Sequence, residues 1–206
     1  MKQNMRKRSP LAVLLALCLA VQLCVPAAMA SNRLMRAGDA AIAQIEEEEG
    51  FRAEKYSSGG KWYIGYGTEC GAEDYPEGIT REEAELLLMS KVEAYEAKLN
   101  DFFGRYDVTP TQGQFDALIC FSYNFGTGWM SGRGDLVKSA RGEKGATRLE
   151  VAHAFGEWCH SGGQAQAGLA DRRLQEAAIY LDDDTRAAEN EFAYLIINME
   201  SGTSYE

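Results

Sequence analysis

A chain of 206 residues favours one domain of ordinary size over two. Hydrophobic residues make up 46% and charged residues 25%, the balance of an average globular protein, which excludes a disordered tail, a collagen-like repeat and a polytopic membrane protein. Only 4 prolines and 21 glycines are present, so no low-complexity linker divides the chain.

The first thirty residues differ from the rest. Lys2, Arg6, Lys7 and Arg8 precede an apolar run from Leu11 to Val25, and Ala28-Met29-Ala30 forms a small-x-small cleavage site. This is the layout of a secretory signal peptide over residues 1–30, cut between Ala30 and Ser31. The apolar run is shorter than the roughly 20 residues a spanning helix needs, so no stable membrane anchor is expected after cleavage. The mature protein is expected outside the cytoplasm, secreted or in the cell envelope.

Of the 21 Lys and Arg, the leader carries four and none of the 31 Asp and Glu, which leaves 17 cations against 31 acids, a mature net charge of −14. That balance excludes a general nucleic-acid binder, because neutralising phosphates takes clustered Lys and Arg. A polyanionic substrate would have to be gripped by local features against the net field.

Asp39 to Glu49 carries a helical pattern in Ala41, Ile42 and Ile45, with Gly50 as its stop. A strand ending at Tyr56, a turn over Ser57 to Lys61 and a second strand Trp62-Tyr63-Ile64 read as a hairpin. Gly65, Gly67 and Gly71 make the next segment irregular. Thr80 with Glu83 is a capping box that opens a helix through Leu86, Leu87, Val92 and Tyr95. Further helices are expected over Thr111 to Tyr123, Leu149 to Trp158 and Leu169 to Leu181. Residues 182–206 form an acidic extension with an apolar patch from Phe192 to Ile197, expected as either a docking helix or a frayed tail. The sum is a mostly helical domain, residues 31–181, with one small hairpin near its beginning.

The mature cysteines are Cys70, Cys120 and Cys159, which permit one disulfide in any of three pairings. Cys120 lies in an apolar stretch and reads as a core residue. Cys159, His160 and His153 lack the paired spacing of a zinc site, so no metal and no other cofactor is expected.

Glu46 to Glu49 form an acidic run, yet helical geometry separates them. Glu49 lies four residues after Ile45 and seven after Ile42, within the apolar stripe, and ends the helix beside a glycine. Desolvation, the like charge of Glu46 and the negative end of the helix dipole would all favour the protonated form of a carboxyl held there. A protonated carboxyl is the group that a general acid for glycosidic cleavage requires. Arg52, Arg172 and Arg173 are the cations that could instead pair with it.

Glu49-Gly50-Phe51-Arg52, Tyr56 and Trp62-Tyr63-Ile64-Gly65-Tyr66-Gly67 resemble the opening E-G-[LFC]-R…A-Y…W-T-I-G-Y-G of phage-type lysozymes, glycoside hydrolase family 24. Gln112 to Leu118 with Tyr123-Asn124-Phe125-Gly126 is similar to that family's Q-x-Q-F-D-A-L…Y-N-x-G helix. Trp158, Gly162-Gly163 and the run Gly168 to Glu176 resemble its closing W…G-G…G-L-x-x-R-R-x-x-E segment. The resemblance spans roughly Ala37 to Leu181. It implies a lysozyme-like α+β fold, a hairpin lobe and a helical lobe on either side of a cleft. It also implies a monomeric N-acetylmuramidase acting on peptidoglycan glycan strands at the MurNAc-GlcNAc linkage. Glu49 would then be the catalytic acid, braced by Arg172 or Arg173.

The family pattern breaks at its second carboxylate. Ser58 stands nine residues after Glu49, where the family has Asp; Tyr63 stands at the threonine of W-T-I-G, and Thr68 at the histidine that commonly follows G-Y-G. A serine orients a water but has no basicity with which to deprotonate it. Three readings follow. Ser58, Tyr63 or Thr68 positions a water for hydrolysis; the muramyl 6-hydroxyl attacks instead, as in lytic transglycosylases; or the domain only grips glycan. Glu69 and Asp74 are alternative carboxylates. Trp62, Tyr63, Tyr66 and Trp158 are aromatic candidates for sugar contact, against the commoner role of such rings in core packing. Asn124 is expected to bond a helix end, and Asp116 to face solvent or pair locally.

Overall fold

The computed structural model describes residues 34–143 and 147–182, and those from Met35 onward belong to one compact unit. The expected leader and nearly all of the acidic extension lie outside the described residues.

Helix α1 spans Asp39–Glu49, as the sequence pattern predicts. Strands β1 (Arg52–Ser58), β2 (Lys61–Gly65) and β3 (Thr68–Cys70) form an antiparallel sheet in the order β1-β2-β3. The hairpin turn is tighter than expected. Gly59 and Gly60 both take positive φ, +57° and +80°, the requirement of a two-residue turn whose twist matches the flanking strands. Ser57, Ser58 and Lys61 therefore join the ladder, with Ser58 opposite Lys61 and Tyr56 opposite Tyr63. The segment after Gly67, expected to be irregular, supplies β3, which pairs Ile64 with Thr68 and Trp62 with Cys70.

Helix α2, Arg81–Tyr106, opens on the Thr80 and Glu83 capping box. It runs well past Tyr95 because its apolar row continues through Leu99, Phe102 and Phe103, all buried. Helix α3, Gln112–Phe125, is capped by Thr111 and is buried on every side from Phe115 to Tyr123, rather than on one face. An all-round buried helix is the centre of its domain, and α1, α2 and a later helix pack around it. A 3₁₀ turn at Gly128–Ser131 and helix α4, Asp135–Ala140, follow. Both are too short to show a period in the sequence. Helix α5, Arg148–Gly156, a two-residue hairpin of β4 (His160–Ser161) and β5 (Gln164–Ala165), and helix α6, Ala167–Tyr180, complete the described chain. The fold is α+β, mostly helical with a small sheet near its beginning.

None of the three possible pairings of Cys70, Cys120 and Cys159 forms a disulfide. Cys120 is a core residue. No helix among the described residues is long and apolar enough to cross a membrane.

Candidate active site

The position of Glu49 is set first by how α1 is anchored. Three side chains from two other helices seize the backbone leading into it. The Met35 amide donates to Asn100 Oδ1 (2.8 Å), the Ala37 amide to Glu96 Oε1 (2.7 Å) and the Gly38 amide to Asp116 Oδ1 (2.9 Å). Asp116 thus faces neither solvent nor a purely local partner. It is buried, and burial pushes its carboxyl up while the Gly38 amide and Gln112 pull it down. A carboxylate at the amides of a helix start also opposes the positive end of the dipole. Ala41 and Ile45 then bury the inner face of α1, which brings Glu49 to the junction between sheet and helices.

The Glu49 side chain is 20% exposed, neither free in water nor sealed. Its Oε1 accepts from Arg172 Nη1 at 2.8 Å. Its Oε2 faces Gly67, where an added Cβ would stand 3.1 Å away. Gly67 has φ +75°, so a side chain there is strained as well as crowded. Gly67→Ala is expected to cost about 1–2 kcal/mol from the left-handed backbone alone, read as a lower denaturant midpoint. The crowding should also shift the carboxylate off Arg172.

Behind Arg172 lies a buried charge network. Glu176 Oε1 stands 3.4 Å from Arg172 Nε and 2.7 Å from Arg173 Nη2. Arg173 also donates to Asn124 Oδ1 (3.3 Å) and stacks over the rings of Phe121 and Phe125. Arg172, not Arg173 or Arg52, is therefore the cation on Glu49. Arg173 acts one step further back, and Asn124, expected to bond a helix end, accepts from Arg173 instead.

On the other side stand tyrosines and one lysine. Tyr123 donates its hydroxyl to the Tyr66 carbonyl (2.7 Å), and Tyr66 accepts from Arg81 Nη1 (2.7 Å). Lys91, from α2, holds its ammonium 3.8 Å from the Tyr123 ring centroid and makes a long hydrogen bond, 3.4 Å, to the Gly67 carbonyl. Burial lowers Lys91 while the charge of Glu49 raises it. Burial, with Glu49 adding to it, also pushes the phenols of Tyr123 and Tyr95 up. The charge of Glu49 reaches Tyr56 on β1 as well.

Several expected residues have other places. Tyr66 is 1% exposed, with its hydroxyl and carbonyl both engaged, so it holds the floor of the site and is not a sugar-contacting surface. Ser58 sits exposed at the hairpin tip. Tyr63 is half-buried against its cross-strand partner Tyr56, ring centroids 5.7 Å apart. Thr68 turns its buried hydroxyl toward the Tyr123 phenol oxygen, which gives its own proton to the Tyr66 carbonyl and keeps a lone pair toward Thr68. Trp158 is half-buried and packs edge-on against Phe121 and Phe125, as core aromatics do. Glu69 is paired with Lys61 (2.7 Å), and Asp74 accepts from the Gly71 amide (2.7 Å). Sequence reasoning missed Lys91. The signal was there, since Leu87, Lys91 and Tyr95 form one row four residues apart, a lysine set into an apolar face.

The profile of the phage lysozyme family matches residues 46–176. The endolysin of Bacillus phage B103 is 33% identical over 161 residues, 76% of this chain and 58% of that protein. The endolysin of Bacillus phage PZA is 36% identical over 150 residues, 71% of this chain and 55% of that protein. This chain thus spans little more than half the length of either relative. Among solved structures, an endolysin from Escherichia coli O157:H7 phage FAHEc1 superposes with TM-score 0.60 at 31% identity, covering 72% of this chain and 94% of that one. The muramidase domain of SpmX from Asticaccaulis excentricus gives 0.58 at 27% identity, covering 71% and 97%.

Proposed function

The chain belongs to the phage lysozyme family, and from that membership we propose that it is a peptidoglycan hydrolase, an N-acetylmuramidase. It would cleave the MurNAc-GlcNAc β-1,4 bond with Glu49 as general acid. The observation that carries this reading is the setting of Glu49, with one carboxyl oxygen fixed by Arg172 and the other turned to the partly open side at Gly67. A general acid must be held within hydrogen-bond reach of the leaving oxygen, and an acid anchored through one oxygen keeps the other for the proton. The names of the relatives, endolysins and a muramidase domain, support the substrate class. In this reading the first thirty residues are an export leader, and the mature protein is a monomer that works on cell-envelope peptidoglycan.

The second carboxylate has no replacement among the candidates. Ser58 is at an exposed tip, and Glu69 and Asp74 are engaged elsewhere. Thr68, whose buried hydroxyl lies beside the Tyr123 phenol, suits the role of holding the attacking water. The same gap favours a second reading, lytic transglycosylation. There Glu49 protonates the glycosidic O4, the C1–O4 bond breaks, the muramyl O6 bonds to C1, and the O6 proton returns to Glu49. Purified peptidoglycan incubated with the full chain distinguishes these outcomes. New reducing ends mean hydrolysis, and 1,6-anhydro-muramic products mean transglycosylation. Binding without soluble fragments removes both enzymatic readings.

A further inference from the structure

Lys91 is a half-buried cation. Among the described residues no carboxylate lies within 4 Å of its ammonium. Its contacts are the Tyr123 ring and one long hydrogen bond to the Gly67 carbonyl. Glu49, the acid whose charge Lys91 feels most, lies across Gly67 and has Oε1 committed to Arg172.

Removing an ammonium from water is costly, and one aromatic face with one long hydrogen bond repays only part of it. If Glu49 is the acid, an unbalanced cation on the same side of the site would also oppose the positive charge that develops at the glycosidic carbon during cleavage. Both difficulties disappear if the substrate brings an anion to Lys91. Muramic acid carries one on its C3 side chain, either the lactyl carboxylate itself, free in peptide-stripped strands, or the carboxylates of the attached peptide stem. Resting on the muramidase reading, we propose that Lys91 is the residue that recognises this carboxylate and so helps set substrate specificity. Tyr123, tied to Tyr66 and through it to Arg81, holds the aromatic platform rigid, so the ammonium is positioned before substrate arrives. This local cation meets the requirement set by a mature charge of −14, that an anionic substrate be gripped against the net field.

The test is calorimetric titration of the full chain carrying Glu49→Gln, so that strands stay intact. The ligands are short peptide-free glycan strands, the same strands as lactyl methyl esters, and peptide-bearing strands with stem carboxylates free or amidated. The free lactyl acid is expected to bind about tenfold more tightly than its ester, as loss of one charged hydrogen bond predicts. Lys91→Met should erase that preference and Lys91→Arg should keep it. A preference confined to the peptide-bearing pair assigns the carboxylate to the stem. Equal binding of acid and ester, in both pairs, by the Glu49→Gln parent overturns the proposal, as does a preference that survives in Lys91→Met. Cleavage by the wild-type chain on the same strands is scored separately. Cleavage without a carboxylate preference removes only Lys91; a preference without cleavage removes the hydrolase reading and leaves the subsite.

Discussion

Glu49→Gln is expected to lower glycan cleavage about a thousandfold, the middle of the range for loss of a general acid, while the protein still folds. The two consequences separate because of how the carboxyl is held. Glutamine is nearly isosteric and keeps an oxygen where Arg172 Nη1 donates, so the 2.8 Å contact has a successor. Arg172 retains Glu176 as a second acid, so it is not left as an isolated buried charge. The stability change should therefore stay near about 1 kcal/mol, the worth of one hydrogen bond rather than of a broken ion pair. What glutamine cannot do is release a proton to the leaving oxygen. Rates on peptidoglycan together with a thermal midpoint check both halves. An active Glu49→Gln chain would remove the assignment, whereas a chain that is inactive only because it unfolds would show it in the midpoint.

Parts of this site are legible in the sequence because they depend on near neighbours. The limits of α1 follow from Ala41, Ile45 and a glycine stop, and the position of Glu49 on the buried side follows from counting fours from Ile45. The Thr80 capping box is a four-residue pattern and is present, whereas Thr111, expected inside its helix, stands before it as the cap. The turn at Gly59-Gly60 was visible, but its length depends on both glycines taking positive φ, and composition alone does not decide that. The anchoring of α1 was not legible, because Asp116 reaches Gly38 across 78 residues and nothing near Asp116 marks it as buried. Tyr66 misled for a related reason. Alternation along β2 ends at Gly65, and past that point the sequence does not say which way a side chain turns. The Arg172 contact, 123 residues from Glu49, was one of three candidate pairings with Arg52, Arg172 and Arg173, and the family resemblance narrowed it only to the last two.

Above pH 7, where Glu176 is ionised, Glu176→Ala is expected to destabilise the domain by about 3 kcal/mol or more, because removing one member of a buried ionic group leaves its partners uncompensated. Arg172 and Arg173 converge on Glu176 Oε1, and in the described chain no acid other than Glu49 stands within ion-pairing distance of either arginine. Without Glu176, Arg173 keeps only the Asn124 oxygen and two aromatic faces. A loss of this size corresponds to a fall in thermal midpoint of about 10 °C for a domain of this length. Glu176→Gln should cost much less, since its amide oxygen still accepts from Arg173 and stays beside Arg172. The pH dependence tells the two effects apart. Burial pushes the Glu176 carboxyl up to about 7, against the pull of Arg173 and Arg172. The folded state therefore holds this proton more tightly than the unfolded chain, whose carboxyl titrates near the ordinary 4.5. The stability gained in this way is complete below about 4.5 and is lost as pH rises through about 7. Glutamine, which cannot titrate, removes that slope, so the wild-type and Glu176→Gln midpoints should converge from pH 5 to pH 8 if glutamine starts lower. Parallel curves would mean that Glu176 stays ionised throughout and that the two arginines outweigh its burial.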